Sequence, residues 1–276
     1  MISCKLETLN LLEDNIDYEA LSYAWGSSED QATIAVNKTT LQITQNLKDS
    51  LTYLRHDSKP RSLWIDAICI NQSDVDERSS QVRLMGRIYS SASCVISWLG
   101  LKDDPIDYVE QMKKARSLIG LVRSCSTDEL FALLLDSPSK EDLEEVFEDG
   151  LYSLQLVIGE RDRPPYWRRA WIIQEVSLAR VWKLQSGALC ISEGDIEAVM
   201  EILQNPRTKS VMKKKYQARR LRALLSLNSF LSVSVCRVAL SFSETLLSEL
   251  AISSPNWETQ LCEVLGLKVL GRCSVS

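Results

Sequence analysis

Histidine is almost absent from this chain, and its scarcity narrows the available chemistry. The 276 residues include a single histidine, His56, just before Pro60. Nucleophilic catalysis with a histidine base, and zinc sites built on several histidines, are therefore nearly excluded. His56 lies where a helix is expected to end, so an interaction with the helix dipole is its more ordinary role.

Cysteine is present, but not in the spacing of a metal site or a disulfide framework. The chain contains no Cys-x-x-Cys pair, and its eight cysteines are scattered singly at Cys4, Cys69, Cys94, Cys125, Cys190, Cys236, Cys262 and Cys273. Buried free thiols in a reducing compartment are the favoured interpretation.

A signal-peptide pattern and an apolar run long enough to cross a bilayer are also absent. These absences predict a cytoplasmic protein that does not enter a membrane.

A strong positive charge is missing as well, since the net charge is −5. Phosphate backbones need a basic field, so we expect no nucleic-acid partner. The basic run Lys209–Arg222 is typical of a solvated face or a face for an acidic partner.

Neither a Walker A loop nor a G-x-G-x-x-G motif is present, which argues against a nucleoside triphosphatase and a classical dinucleotide dehydrogenase.

What is present predicts a globular α/β domain. Apolar segments at 19–25, 63–70 and 94–99 each lead into a polar loop, as buried strands do. Their continuous rather than alternating apolar pattern favours a parallel sheet covered on both faces. Further predicted elements are a hairpin over 33–43, a helix opened by Asn46, a helix capped by Asp74, a helical insertion over 105–158, a helix over 168–180, a strand over 181–184 and a helix over 195–203.

We therefore predict a three-layer α/β domain with a mostly parallel central sheet over about residues 1–205. A helical, partly irregular tail follows over 206–276. In open α/β sheets, ligands bind beyond the carboxyl ends of the strands. The loops after the three strands are therefore expected to meet at one edge.

Those loops supply a candidate binding site. Trp25, Asp66, Asn71 and Gln72 could line a concave surface there. The alternative is that Asn71 and Gln72 only satisfy turn amides and that Trp64 is a core residue. Nearby Arg78 could bind an anion such as phosphate, or hold Asp74 or Asp66 instead.

Glu175 is the best single catalytic candidate. Trp171, Gln174, Glu175 and Leu178 follow helical spacing along the flank of an apolar face. The carboxyl group is then expected beside an indole at the margin of the core, where partial burial favours the protonated form. The alternative pairs Glu175 with Arg168, Arg169 or Arg78 in a structural ion pair.

Four blocks of the sequence together resemble the fungal heterokaryon incompatibility (HET) domain in its usual order. They are Tyr18–Gly26, Arg61–Gln72 with Asp76–Arg78 and Gln81-Val82, Leu84–Gly100, and Trp167–Glu175. The resemblance covers about residues 18–187. It implies a fungal protein that acts in self/non-self recognition and triggers regulated cell death.

The HET domain in turn resembles the Toll/interleukin-1 receptor (TIR) domain, which implies a TIR-like or flavodoxin-like sheet. Trp171 and Glu175 are similar to the TIR segment whose glutamate hydrolyses NAD. By this resemblance Glu175 is catalytic, NAD is a substrate, and neither a cofactor nor a metal is required. The implied substrate-binding residues are Tyr23, Trp25, Gly26, Asp66, Asn71, Gln72, Arg78, Trp171 and Gln174.

Two expectations remain open at this point. HET proteins usually continue through a segment with an Asp-Pro-Arg-Asp type motif to an Ala-Leu-Leu-Gly-Leu-like stretch. Here only Val264–Leu267 resembles that stretch, which predicts a truncated or mis-spliced member. The alternative to an enzyme is a non-catalytic interaction module that acts by self-association or through another incompatibility protein. An enzyme requires Glu175 to open into the cleft of Trp25, Asp66 and Asn71, whereas a Glu175 in a distant ion pair favours the module.

Overall fold

The computed structural model describes residues 2–11, 17–56, 58–103, 106–136, 140–158, 165–169, 171–206 and 269–275. The chain divides into two compact units. Unit 1 comprises Met1–Ile96, Ala170–Val181 and Ser232–Ser276, and unit 2 comprises Ser97–Arg169 and Trp182–Leu231.

The chain is a mixed α/β protein, as predicted. Its strands are β1 (Ser3–Asn10), β2 (Glu19–Tyr23), β3 (Gln31–Val36), β4 (Thr39–Thr44), β5 (Arg61–Trp64), β6 (Cys94–Trp98), β7 (Lys102–Asp103), β8 (Ile106–Asp107), β9 (Trp182–Ser186), β10 (Leu189–Ser192) and β11 (Val269–Val275). Its helices are α1 (Gln45–Leu54), α2 (Asp66–Cys69), α3 (Val75–Ser91), α4 (Tyr108–Ser124), α5 (Thr127–Asp136), α6 (Lys140–Ile158), α7 (Ile172–Ser177) and α8 (Glu193–Gln204), with a 3-10 helix at Pro165–Arg168.

The sheet of unit 1 is mixed, so the prediction of a mostly parallel sheet was wrong. Its strands follow the order β6-β2-β5-β11-β1-β3-β4. β2 pairs parallel with β5, and β1 pairs parallel with β3. β11 lies antiparallel between β5 and β1, and β3 and β4 form an antiparallel hairpin. The hairpin and the strand from the far end of the chain therefore give the sheet its mixed character.

The second predicted apolar strand, over 63–70, is shorter than its sequence suggested. β5 ends at Trp64, and Asp66–Cys69 forms the single turn α2, where strand was predicted through residue 70. The backbone N–H groups of Ile68 and Cys69 both donate to the carbonyl of Ile65. A short apolar run fits a buried helical turn as well as a strand, which explains the error.

The predicted hairpin and the helix after it are present in unit 1. Asn37 and Lys38 have φ values of +46° and +69°, the left-handed pair that a two-residue β-hairpin requires. Thr44, rather than the predicted Asn46, caps α1 by accepting from the N–H of Leu47. The Asn46 side chain is instead used elsewhere, since its Nδ2 donates to the carbonyl of Ala24 at 2.6 Å.

Helices α3 and α7 pack closely in unit 1. Asp74 caps α3 by accepting from the N–H groups of Asp76 and Glu77, as its position predicted. At Gly86 of α3, an added Cβ would lie 2.9 Å from the side-chain nitrogen of Gln174 in α7. α7 itself covers six residues, so the helix predicted over 168–180 was too long.

Unit 2 contains the predicted helical insertion. α4 packs against α6 and α8, and Gly150 of α6 approaches α4 so closely that a Cβ would lie 2.3 Å from that of Leu118. β9 and β10 form an antiparallel hairpin. Ser97 Oγ accepts from Trp182 Nε1 at 2.7 Å and shares a hydrogen bond with the hydroxyl of Tyr166. The ring of Trp167 meets those of Tyr166 and Trp182 edge to face.

The predicted tail falls largely outside the described residues, which do not include the basic run 209–222. The described part of the tail is β11, and a strand at that place was not predicted.

No helix among the described residues is long and apolar enough to cross a membrane. Within the same ranges, no group of three or more metal-ligating side chains comes together.

Candidate functional site

A buried hydrogen bond joins β2 to α7 in unit 1. The hydroxyl of Ser22 donates to Oε2 of Glu175. Ser22 is 1% exposed and Glu175 is fully buried. The bond connects residues that are 153 positions apart in the sequence. A carboxyl oxygen is thereby held against an inner strand of the sheet.

Glu175 lies deeper than the sequence predicted. Its helical neighbours Ile172 and Val176 are buried, as their apolar spacing suggested, but Glu175 is buried with them rather than lying at the margin of the core. Trp171, one turn earlier, is 50% exposed. The prediction that the carboxyl group is only partly buried at the margin of the core was therefore wrong, because Glu175 is covered together with its apolar neighbours Ile172 and Val176.

The ends of β2 and β5 bring a second group of side chains together. Trp25 Nε1 donates to Asp66 Oδ2 at 3.0 Å, and Gln72 Nε2 donates to the carbonyl of Asp66 at 2.9 Å. Arg78 Nη1 donates in turn to the carbonyl of Gln72 at 3.3 Å. β2 and β5 are parallel neighbours, so both loops leave the same edge of the sheet. We call Trp25, Asp66, Gln72 and Arg78 the edge cluster.

Asn71 has a local role beside the edge cluster. Its Oδ1 accepts from the N–H of Ser73 at 3.2 Å and from its hydroxyl at 2.7 Å, while its own N–H donates to Glu77. This arrangement matches the alternative in which Asn71 satisfies turn groups. Trp64, which the same alternative assigned to the core, is 1% exposed and packs edge-on against the ring of Tyr89 there.

Within the described part of the chain, Arg78 bonds neither Asp74 nor Asp66, the two carboxylates that it was expected to hold. Its described hydrogen bond runs to the carbonyl of Gln72, whereas Asp74 accepts from the first N–H groups of α3 and Asp66 accepts from Trp25. Arg78 is exposed, so its guanidinium faces solvent beside the loop. This is the geometry in which an arginine is accessible to an anion.

The loop after β2 depends on Gly26. Its φ of +83° lies in the left-handed region, and an added Cβ would lie 3.5 Å from that of Asn46. Tyr23, another predicted binding residue, is 2% exposed and belongs to the core. Gln174 is half-buried against Gly86. Gly26 therefore shapes the loop that carries Trp25, while Tyr23 and Gln174 support the structure around it.

β2 connects the two groups of side chains. Ser22 bonds Glu175 from within the strand, and Trp25 follows three residues later in the loop just beyond the strand. Trp25 is 45% exposed, so one end of this connection meets solvent while the other is buried. Sequence analysis placed Glu175 and Trp25 in one site but missed Ser22. The sequence feature that could have identified Ser22 is a hydroxyl side chain inside the apolar run Ala20–Tyr23. A polar group that is buried among apolar residues requires a hydrogen-bond partner.

Tyr18, at the start of this strand segment, has a structural role. Its hydroxyl donates to the carbonyl of Ile88 in α3 at 2.6 Å. Burial raises the pKa of the Tyr18 phenol well above its ordinary value, an effect that Arg180 partly opposes. The neutral phenol therefore ties β2 to α3 throughout the physiological pH range.

Comparisons with known proteins converge on one family. The model of the family described as heterokaryon incompatibility protein (HET) matches residues 18–175, more than half of the chain. Heterokaryon incompatibility protein 6, OR allele, from Neurospora crassa is 30% identical over 211 residues, covering 68% of this chain and 31% of that protein. The chain thus spans about a third of the length of this relative. No solved structure matches the chain.

Proposed function

Because the chain belongs to the heterokaryon incompatibility (HET) family, we propose that it acts in fungal self/non-self recognition as an effector of regulated cell death. The resemblance inferred from its four sequence blocks is confirmed. The family match ends at Glu175 and includes the whole edge cluster. The incompatibility function named for the Neurospora crassa relative supports this role.

The proposed chemistry is hydrolysis of the nicotinamide–ribose bond of NAD by Glu175. One observation carries it: the Glu175 carboxyl group is held by Ser22 on the strand that leads directly into Trp25 and its partner Asp66. A carboxylate can stabilise an oxocarbenium-like ribosyl centre without a histidine or a metal. The exposed indole of Trp25 and guanidinium of Arg78 offer a stacking surface and a phosphate contact.

The proposal includes a TIR-like arrangement of the first unit. The parallel pairing of β2 with β5 and the position of Glu175 one helical turn after Trp171 support it. Since Glu175 is fully buried, we propose that the loop after β2 moves when the substrate binds. Such closure or opening of a loop over a buried catalytic group is common in enzymes that exclude water.

Release of nicotinamide from NAD by the purified protein tests this function. We expect Glu175→Gln to abolish release while the circular dichroism spectrum stays unchanged, because the amide keeps the shape but not the charge. Glu29→Gln, at an exposed position of the loop after β2, serves as the control and should keep full activity. A Glu175→Gln variant as active as the wild type would remove Glu175 from this role.

A second candidate is a non-catalytic module, and a specific observation favours it. Val82, Trp171 and Leu178 are exposed apolar side chains on α3 and around α7. Leu178 lies against Gly86, and Val82 is one turn before Gly86 on α3, so Val82 and Leu178 lie near each other on one exposed face. Such a surface suits self-association or the recruitment of another incompatibility protein.

Expression in yeast distinguishes the two candidates. If the module acts without catalysis, Leu178→Asp and Val82→Asp remove toxicity, while Glu175→Gln leaves both viability loss and cellular NAD unchanged. Tyr53→Asp, at an exposed position of α1, is the matched control for adding a charge. If the enzyme is responsible, toxicity and NAD loss disappear together in Glu175→Gln.

A further inference from the structure

We propose that Ser22 is a positioning residue for the Glu175 carboxyl group, an inference that rests on the proposed NAD hydrolysis. The hydroxyl of Ser22 donates to Glu175 Oε2 inside the core of unit 1. Neither residue has more than 1% of its surface exposed. The bond therefore acts where water does not compete with it and where its contribution is largest.

The structure fixes both ends of the Glu175 side chain. The backbone N–H of Glu175 donates to the carbonyl of Trp171 at 3.0 Å, which holds its Cα within the first turn of α7. Three side-chain torsions separate that point from the carboxyl group, and Ser22 holds the far end. A carboxyl group restrained at both ends is close to the geometry that catalysis requires before the substrate arrives.

The neighbours of Ser22 supply the rigidity that such a role needs. Leu21 and Tyr23 on either side of it are buried, and β2 is an inner strand between β6 and β5. An alanine would complete the apolar run without the cost of burying a hydroxyl. The hydroxyl at this position is accounted for by the carboxyl group that accepts from it.

Three variants test the inference through the kinetics of nicotinamide release. Ser22→Ala removes the donor, and we expect kcat to fall about 10- to 100-fold with KM changed less than about twofold, the size of a lost hydrogen bond to a charged group. Ser22→Thr keeps the hydroxyl and should recover most of kcat. Ser50→Ala is the matched control, because Ser50 is an equally buried serine of unit 1 whose hydroxyl donates to the carbonyl of Leu47 in α1.

Each rate is normalised to the folded fraction measured by circular dichroism. If Ser22→Ala fails to fold, Ser22→Cys replaces it, since a thiol is a weaker donor and should produce a smaller fall in kcat. A wild-type kcat in a folded Ser22→Ala protein overturns the inference, as does an equal loss in Ser22→Ala and Ser50→Ala. A wild type that releases no nicotinamide overturns the proposed function, and this inference with it.

Discussion

Ser22 of unit 1 and Ser97 of unit 2 are both serines buried in apolar strands, but they bond to different kinds of partner. Ser22 donates to the carboxyl group of Glu175. Ser97 bonds the phenol of Tyr166 and the indole of Trp182, which are neutral. Neutral aromatic partners add packing area and carry no charge that burial would penalise, whereas a buried carboxyl group adds little packing and is costly to bury.

This difference separates a structural network from a candidate reactive one. The Ser97 network joins β6, the 3-10 helix and β9 and is surrounded by the rings of Tyr166, Trp167 and Trp182. The Ser22 pair places a potentially charged group in a site where stability alone would favour an apolar side chain. We therefore expect substitutions in the first network to change stability, and substitutions in the second to change activity.

Truncation of Trp182 should have the largest effect on stability. Trp182→Ala removes a buried ring and leaves the Ser97 hydroxyl without its indole donor, so we expect the free energy of unfolding to fall by about 3–5 kcal/mol. Trp171→Ala is the matched control, because that ring is half exposed and its loss should cost less than about 0.5 kcal/mol. Urea denaturation measures both, and similar losses would show that the burial of the two rings does not decide their contribution.

Removal of the Ser97 hydroxyl should have an intermediate effect. Ser97→Ala leaves the Trp182 indole and the Tyr166 phenol without their shared partner, and we expect a loss of about 1–3 kcal/mol in the free energy of unfolding. Its kcat for nicotinamide release should equal that of the wild type, in contrast to Ser22→Ala. A fall in kcat for Ser97→Ala like that for Ser22→Ala would break the distinction between the two serines.

The smallest expected effect concerns Asp195 at the start of α8. Partial burial raises the pKa of Asp195, but hydrogen bonds from Ser192 and Arg123 outweigh it and hold the pKa below its ordinary value. The stabilisation is therefore complete above the ordinary aspartate pKa of 3.8 and is lost as the pH falls through the lower folded value. We expect Asp195→Asn to cost about 0.5–1 kcal/mol at neutral pH.

Urea denaturation of wild type and Asp195→Asn across the acid range measures this effect. The difference between the two proteins should shrink as the pH falls, because the protonated wild-type carboxyl group resembles the amide. The exposed Arg123 contributes little by itself, so adding salt should leave most of the difference intact. A difference that grows toward acid pH would contradict the lowered pKa.

Much of the local structure could be predicted from the sequence because its causes lie within a few residues. Asp74 caps α3 because its side chain reaches N–H groups two and three residues away. Asn37 and Lys38 form the hairpin turn that the flanking apolar runs indicated. The loops after β2 and β5 were expected at one edge, and Trp25 bonds Asp66 there.

The sequence by itself determined the family, the α/β class and the local caps and turns, since each depends on short patterns in the chain. Tertiary structure alone decided that β11 lies antiparallel between β5 and β1 in the middle of the sheet. It also decided that Glu175 is buried and that Ser22 holds it, because a hydrogen bond between residues 153 positions apart leaves no periodic signal in either segment. Burial of a polar group depends on which distant segments cover it, and only the folded chain fixes that.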